Sequence, residues 1–376
     1  MNNKLFLLYT TLFSVIYVGA VPTSPEPFYI TQPDGTILYV HAVGDEYFHW
    51  LETLDNHVVT PSKDGYYEYA TFDGEDIVPS GCIAKNTFNA HQIGENAIVS
   101  SHEIIDLLNS KRESVMTKMS SLIVNDDNNN DTKSSIRYTF SGNSLTEGNQ
   151  KVLCILIGFP DKPFIKSKSD FENMWNQTNY NVEGSFGSVK DFYLENSYGL
   201  MNVTATVVGL YIAKKNSSYY ATGNNISGSK VRELVEEVLI AAKSDVNFKD
   251  FDVNGDKYVD AVHVVFAGYS CDANPTRTDL IWSHHWALST VVSQNGCKAK
   301  HYFITSELAG GSGTKIAPIG TICHEYGHQL GAPDYYSTAG YTGTGRWDVM
   351  GDGSWNINGR CPAHHNPYTK SIFIIG

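Results

Sequence analysis

The segment 318–334, PIGTICHEYGHQLGAPD, constrains the fold more than any other part of the chain. Apolar residues recur along it at helical spacing and form one stripe, and two histidines lie on the opposite side of the cylinder. The residues of the stripe are Ile319, Ile322, Cys323, Tyr326 and Leu330. The segment therefore predicts a helix that packs one face on a core and presents His324 and His328 on the other.

The pattern H-E-x-x-H at residues 324–328 is typical of a zinc site on a helix. Two histidines at this spacing point the same way, so both rings can bind one metal ion, and Glu325 accepts a proton from the activated water. Histidines on an ordinary surface or in a core would show the same spacing. The sequence that follows His328 is needed to choose between these interpretations.

The third ligand distinguishes two classes of such enzymes. In one class it is a glutamate from a later helix, and this chain has no glutamate after Glu325. In the other class, H-E-x-x-H-x-x-G-x-x-H, a glycine ends the helix in the left-handed conformation and the chain returns to the metal. Gly331 stands at the glycine and Asp334 at the last ligand. A carboxylate oxygen is an acceptable zinc ligand, so we predict His324, His328 and Asp334 as the zinc ligands.

A methionine turn beneath the metal is the second feature of this metzincin class. GRWDVMGDGSWN places Met350 in a glycine-rich turn, sixteen residues after Asp334. A methionine in an ordinary loop is the alternative. Its position just after the extended histidine motif favours a Met-turn and, with it, a zinc hydrolase whose catalytic residue is Glu325.

The first twenty residues have the features of a secretory signal peptide. Lys4 gives a short positive start, residues 5–18 are mostly apolar, and small residues precede a cleavage point after Ala20. An uncleaved anchor is the alternative, but the apolar run is short for a membrane span. We therefore predict that residues 1–20 are removed and that the protein is secreted.

The chain that follows changes character twice. Residues 21–108 contain short alternating segments and turn signals such as PDG at 33–35, which predict a small β-rich domain. Residues 109–150 are polar and lack apolar periodicity, which indicates an exposed linker or activation segment. This order, with a larger domain at 151–376, indicates a pro-domain that cleavage releases. A permanently attached accessory domain is the alternative.

The larger domain mixes the periods of strands and helices. Apolar runs predict strands at 152–159, 202–208 and 258–268. Helical spacing predicts an amphipathic helix near 229–244. The fold class expected for the chain is therefore α+β.

The charge of the chain limits its partners. The net charge is −13, from 27 basic and 40 acidic residues. No long basic run is present, which argues against nucleic acid and anionic membranes as partners. We expect protein or peptide substrates and no membrane partner after signal cleavage, and the sequence does not indicate an oligomeric state.

Six cysteines fit an oxidising compartment. Cys271 and Cys297 enclose a loop-rich stretch and are the first candidates for a disulfide, whereas Cys154 lies in an apolar strand and is expected to be a buried thiol. A disulfide is also the better explanation for Cys82 than a thiolate cap on the zinc. Five N-x-[ST] sequons agree with secretion and predict a glycoprotein. They are Asn130, Asn176, Asn202, Asn216 and Asn225.

With these residues in view, the chain resembles the immune inhibitor A group of secreted metallopeptidases, peptidase family M6. The matching motifs cover most of the chain: TQPDGT, GDEYFHW, ILIGFPD, GSVKDFYLENSYG, DFDVNGDKYVDAVHVVFAG, IWSHHW, TSELAG, HEYGHQLGAPDYY and WDVMGDGSWN. The resemblance implies a secreted zinc endopeptidase made as a zymogen. It implies a metzincin-like domain in which a twisted mixed sheet carries an active-site helix and a backing helix. It also implies His324, His328 and Asp334 as ligands and Glu325 as the catalytic residue.

A second metal is suggested by DVNGDKYVD, which is similar to the start of a calcium loop. The oxygen-bearing residues are Asp252, Asn254, Asp256 and Asp260. The pattern departs from the EF-hand, because Lys257 stands where glycine is required and His263 replaces the closing glutamate. A polar turn is the alternative. Relatives have an acidic loop here, so Ca²⁺ stays a candidate beside Zn²⁺.

Two histidine pairs lie outside the main motif. His284 and His285 are neighbours on a predicted strand and point apart, so packing near the cleft explains them better than chelation. His364 and His365 are similar, although either is a spare ligand if Asp334 is not one. By analogy, residues 301–308 are expected to form an edge strand that pairs with an extended substrate.

Two functions fit these features. The first is a zinc endopeptidase. The second is a catalytically inactive or truncated secreted binding or adhesion protein that keeps the fold, since relatives usually continue beyond the point that corresponds to Gly376. An inactive relative usually loses the base, and the presence of Glu325 with all three ligands favours the enzyme. The ligands alone do not exclude a substrate other than a peptide.

Overall fold

A computed structural model describes most of the chain. The described residues are 21–45, 49–73, 76–87, 110, 147–221, 229–336 and 343–371. The predicted signal peptide at 1–20 and nearly all of the predicted linker lie outside them, as do the sequons at Asn130 and Asn225. These features stay predictions.

The N-terminal part forms a six-stranded sheet whose strands pair in sequence order, each antiparallel to the next. Its strands are β1 Phe28–Thr31, β2 Ile37–Gly44, β3 His49–Thr53, β4 Val58–Pro61, β5 Tyr67–Phe72 and β6 Ile77–Ile83. The predicted turn at 33–35 joins β1 to β2, and Gly35 there has a φ of +84°, which glycine adopts without strain. Leu38, Val40 and Tyr69 lie in its small core. The β-rich unit is therefore present.

The second sheet has five strands in the order β10-β11-β9-β7-β8. They are β7 Gly148–Gly158, β8 Met201–Ile212, β9 Val262–Phe266, β10 His284–Gln294 and β11 Cys297–Ser306. Strand β7 is parallel to β8 and β9, and β9 is parallel to β11, whereas β10 is antiparallel to β11. Strand β7 is buried on both faces from Val152 to Ile157, which explains its continuous apolar run.

Helices cover both faces of this sheet. They are α1 Lys168–Asn176, α2 Val189–Asn196, α3 Ser217–Tyr220, α4 Ser229–Ala242, α5 Ile319–Gln329 and α6 Pro367–Thr369. Short 3-10 turns lie at Val182–Gly184, Phe248–Phe251, Gly345–Trp347 and Asp352–Trp355. Helix α4 packs in the core on one face, and α1, α2 and α5 pack in the core on the other. The α+β class is confirmed, and α4 ends two residues before the predicted limit.

The predicted edge strand is wrong. Residues 301–306 belong to β11, which lies between β10 and β9, so the edge on that side of the sheet is β10. The reason is a two-residue hairpin turn at Asn295-Gly296, where both residues have positive φ. The turn joins β10 to β11 and places β10 on the side of β11 that faces away from β9. The strand on this side that can pair with an extended chain is therefore β10.

The predicted disulfide between Cys271 and Cys297 is also wrong, as is the one expected for Cys82. All six cysteines lie in described residues, and none of them is joined to another. The thiol of Cys271 donates to the carbonyl of Arg277 at 3.2 Å, and Cys297 starts β11 opposite Gln294. The thiol of Cys154 is buried in β7, as expected.

The sequon at Asn176 is occupied by internal bonds. Its amide nitrogen donates to the carbonyl of Ala205 at 2.9 Å, and its oxygen accepts from the N–H of Ala205 at 2.8 Å. A glycan on Asn176 is incompatible with this contact. Over the part of the chain that the structure describes, no helix combines the length and the apolar surface needed to cross a membrane.

Candidate metal centre

Helix α5 positions the metal-binding motif. Its N-cap is Pro318, one residue earlier than the first-turn position that suits proline best. The helix ends at Gln329, and Gly331 follows with a φ of +102°. The N–H of Ala332 then donates to the carbonyl of Gly327 at 3.0 Å. The predicted glycine stop is therefore confirmed, and it turns the chain back toward the side of the helix that carries the two histidines.

Three acceptor atoms converge at the end of this turn. The Nε2 atoms of His324 and His328 are 3.1 Å apart. The Oδ1 atom of Asp334 lies 3.2 Å from the first and 3.1 Å from the second. Both histidines are fully buried, and the Asp334 side chain is 10% exposed. The structure thus brings together the three residues that the spacing singled out.

The hydrogen bonds on the far side of each ring favour a cation at this point. Nδ1 of His324 lies 2.7 Å from the carbonyl oxygen of Val349, and Nδ1 of His328 lies 2.8 Å from that of Ala332. A carbonyl only accepts, so Nδ1 carries the proton and Nε2 presents a lone pair. Three lone pairs then face one another. Neighbouring ligands of a tetrahedral zinc ion are separated by about 3.3 Å, so the group fits zinc.

The electrostatics of Asp334 agree with a charged carboxylate. Burial favours a raised pKa for this group, but His328 and His324, when their Nε2 atoms are protonated, hold the pKa of Asp334 well below its usual range. A cation bound in place of those protons favours the ionised carboxylate in the same way. The carboxylate is therefore ionised at neutral pH and is available as an anionic ligand.

The turn around Met350 lies directly beneath the centre. Met350 is fully buried, and its N–H donates to Asp348 at 3.0 Å. A Cβ atom on Gly327 would lie only 2.6 Å from the Met350 sulfur. The methionine therefore packs against the helix between the two histidines. The preceding carbonyl, of Val349, orients His324, which is the usual way in which a surrounding shell fixes a metal ligand.

Glu325 follows His324 on helix α5, near the cluster of His324, His328 and Asp334, and is fully buried. Burial raises the pKa of Glu325 well above its usual range, the N–H of Val21 lowers it, and the charge of Asp334 raises it further. Its Oε1 atom accepts from Val21 at 2.8 Å. Its Oε2 atom has no partner among the described residues. A buried carboxyl group with a raised pKa suits a residue that takes up and returns a proton.

The contact with Val21 was not expected from the sequence. Val21 is fully buried, and its carbonyl accepts from the indole Nε1 of Trp282 at 3.0 Å. The carbonyl of Pro22 accepts from the indole of Trp355 at 3.0 Å, and the N–H of Ser24 donates to the carbonyl of Asp272 at 3.0 Å. Residues 21–24 therefore lie against Glu325. Both tryptophans occur in recognised motifs, IWSHHW and WDVMGDGSWN, which was the available signal.

In the described part of the chain, His284, His285, His364 and His365 lie outside the cluster of His324, His328 and Asp334. His284 bonds through Nδ1 to the carbonyl of Trp282 at 2.7 Å, and the ring of His285 stacks on that of His301 at 6.0 Å. The Nε2 atom of His364 lies 3.3 Å from Oε1 of Glu195. The structure thus favours packing for the first pair. Cys82, the residue considered as a thiolate cap, is half-buried against the core of the N-terminal sheet. The N-terminal residue that contacts Glu325 is Val21, through its backbone N–H.

The candidate calcium loop brings three carboxylates together. Oxygen atoms of Asp252, Asp256 and Asp260 lie within 4.8 Å of one another. The two oxygens of Asp252 accept from the N–H groups of Gly255 and Lys257 at 2.8 and 3.1 Å. Burial, reinforced by the neighbouring carboxylates, raises the pKa of Asp260 to about 7. These turn bonds fit the polar-turn alternative, and calcium stays a prediction.

Comparison with known proteins identifies the family. Residues 138–373 match the family described as immune inhibitor A peptidase M6, catalytic domain. The chain belongs to this family. The domain is thus that of a metallopeptidase, a class of hydrolases that act on peptide bonds.

Two relatives show the extent of the likeness. The chain is 30% identical over 272 residues to the pre-pro-metalloprotease PrtV of Vibrio cholerae, a match that covers 59% of this chain and 29% of the relative. It is 34% identical over 216 residues to immune inhibitor A of Bacillus thuringiensis subsp. alesti, which covers 49% of this chain and 31% of the relative. The chain therefore spans about three tenths of the length of these relatives.

Proposed function

We propose that this protein is a secreted zinc endopeptidase made as a zymogen. The observation that carries the proposal is the meeting of three acceptor atoms, on His324, His328 and Asp334, at separations of 3.1 to 3.2 Å beside a buried Glu325. The family supports peptide bonds as the substrate. The name of the Vibrio relative includes a pre-pro form, which supports a leader and a pro-region here.

In this proposal each residue has one task. Zinc, when bound, supplies Lewis acidity that makes a water more acidic and polarises a carbonyl group. Glu325 accepts the proton of the attacking water at its carboxylate and gives it to the amine of the leaving half of the peptide. Val349 and Ala332 hold the two imidazoles through their carbonyl groups. The buried Met350 keeps the floor of the site rigid.

The segment at Val21 supports the zymogen. Its nitrogen lies 2.8 Å from Glu325, at the carboxylate that has to accept a proton during hydrolysis. If signal cleavage falls after Ala20, this nitrogen is the α-ammonium group of the chain, and the contact becomes a buried ion pair. A carboxylate that is paired in this way is a poor proton acceptor. We propose that residues 21–108 keep the enzyme latent and that cleavage within 109–150 releases them.

One assay tests this function. Full-chain protein is incubated with casein before and after cleavage in the linker, with and without a zinc chelator. We expect little hydrolysis before cleavage, hydrolysis after it, and loss with the chelator that added zinc reverses. Absence of hydrolysis by cleaved protein that contains one zinc per chain would favour the inactive binding protein instead.

A further inference from the structure

The first residues of the described chain are bound as a peptide ligand would be. Their two carbonyl groups, on Val21 and Pro22, each accept from a buried indole nitrogen at 3.0 Å. Every peptide offers such carbonyls, so neither bond depends on the side chains of the segment. A contact of this kind can therefore be transferred from the protein's own chain to a substrate.

The position of the Val21 nitrogen fixes the direction in which the segment runs. In the proposed mechanism Glu325 returns its proton to the leaving amine, which is the nitrogen of the first residue after the broken bond. The backbone nitrogen of Val21 is 2.8 Å from that carboxylate. Val21 thus occupies the place of the first residue of the leaving peptide, and Pro22 that of the second. The segment has the polarity of a bound product.

The two indole donors depend on a carbonyl partner. Trp282 is fully buried and Trp355 is 8% exposed while the segment is bound, and an indole nitrogen can only donate. Departure of the segment removes both acceptors. A substrate that presents carbonyl groups at the same two points restores both hydrogen bonds. A ligand without these carbonyl groups leaves the two buried indole N–H groups with weaker hydrogen-bond acceptors.

Both tryptophans are attached to elements that hold the catalytic helix. Trp282 lies two residues before β10, the edge strand. Trp355 ends the turn that starts at Asp352. The carbonyl oxygen of Ser354, in this turn, is so close to helix α5 that a Cβ on Gly320 would approach it to 2.0 Å. The two donors are thus attached to two different elements, the strand β10 and the turn at 352–355.

We infer that Trp282 and Trp355 are substrate-binding residues that donate to the first and second carbonyl groups after the scissile bond. This inference rests on the proposed endopeptidase function. It assigns recognition of the leaving half of the substrate to two side chains and makes that recognition independent of residue type. It also explains how the protein's own N-terminal segment and a substrate exclude each other.

Three substrates of increasing length test the assignment in the activated, zinc-loaded protein. All share one acyl half. In the first substrate the leaving group is a simple alkyl amine without a carbonyl. In the second it is a one-residue amino-acid amide, and in the third a two-residue peptide amide. In wild type, each added carbonyl should raise kcat/KM by about three- to tenfold, the range of one net hydrogen bond.

The variants Trp282→Phe and Trp355→Phe keep an aromatic ring and remove the N–H donor. Trp282→Phe should abolish the gain between the first and second substrates, and Trp355→Phe the gain between the second and third. Trp286→Phe is the matched control, because Trp286 is buried in the same core as Trp282, whereas the indole bonds to Val21 and Pro22 come from Trp282 and Trp355. This control should keep both gains. Hydrolysis of the shortest substrate reports whether each variant is folded.

A second readout uses the latent protein without residues 1–20, so that its chain begins at Val21. Acetylation of the Val21 amine by an amine-reactive reagent, followed by mass spectrometry, should be about three- to tenfold faster in either tryptophan variant than in wild type. Faster acetylation with both substrate gains intact would mean that the tryptophans bind only the chain's own segment, and the inference would be overturned. If wild type hydrolyses none of the substrates, the proposed function itself has failed.

Discussion

Gly327 offers the sharpest test of the packing beneath the centre. It lies inside helix α5, where replacing glycine by alanine ordinarily stabilises a protein by about 1 kcal/mol. Here a Cβ would lie 2.6 Å from the Met350 sulfur and 3.0 Å from Cε1 of His365. Both side chains are buried, and the Met350 backbone is held by Asp348 and Tyr335, so the methionine has little room to move.

Overpacking of this kind costs about 1–3 kcal/mol. We therefore expect Gly327→Ala to lower the free energy of unfolding by up to about 2 kcal/mol once the helical gain of about 1 kcal/mol is subtracted. A shifted Met350 also moves the Val349 carbonyl that orients His324. Zinc affinity should fall by about 10- to 100-fold, the range for loss of a group that positions a ligand.

Urea unfolding and zinc titration of the full chain measure both effects. Met350→Ala alone should destabilise by about 2–5 kcal/mol through a cavity. The double variant should be less destabilised than the sum of the two single variants, because the methyl group added at position 327 then enters the space that the methionine side chain left. A Gly327→Ala protein that is more stable than wild type and binds zinc as tightly would refute this description of the floor of the site.

Three further predictions address other parts of the protein. Glu325→Ala should retain zinc, measured as metal content, because Glu325 supplies none of the three converging atoms. Casein cleavage by this variant should fall by at least about 100-fold, the usual contribution of a general base. Glu307→Gln should destabilise by about 1.5–3 kcal/mol in urea unfolding, because the buried carboxylate accepts from Ile165, Lys166 and Gly268 at 2.6, 2.7 and 3.1 Å. The pKa of Asp260 in the folded protein is about 7, above its value in the unfolded chain. Between about pH 4 and pH 7 the folded state therefore binds a proton that the unfolded state has lost, and the contribution of Asp260 to stability should decline as the pH rises through this range. Asp260→Asn should flatten that decline in thermal melts, and if the loop binds calcium, added Ca²⁺ should raise the melting temperature of wild type near pH 7 but not that of the variant.

The sequence predicted the features that are set by local spacing. His324 and His328 are one helical turn apart, Gly331 ends the helix, and Asp334 follows within a few residues. One short motif therefore contains all three residues of the cluster. The run at 152–159 likewise predicted a buried strand, because burial on both faces requires continuous apolar residues.

Features that depend on distant parts of the chain were missed. The Val21 nitrogen and Glu325 are 304 residues apart, and no periodicity links them. The order of β10 and β11 was also missed, although the Asn295-Gly296 dipeptide is a strong hairpin signal. The disulfide was predicted from the compartment and the loop between the cysteines, which says nothing about whether the two thiols meet in space.

The most direct test of the central claim is the zinc content of purified full-chain protein, measured by elemental analysis for wild type, His324→Ala, Asp334→Ala and Glu325→Ala. We expect one zinc per chain in wild type and Glu325→Ala. After dialysis against a weak chelator we expect strongly reduced zinc in the two ligand variants. Equal zinc in all four proteins would show that the metal is held elsewhere and would contradict the assignment of His324, His328 and Asp334 as its ligands.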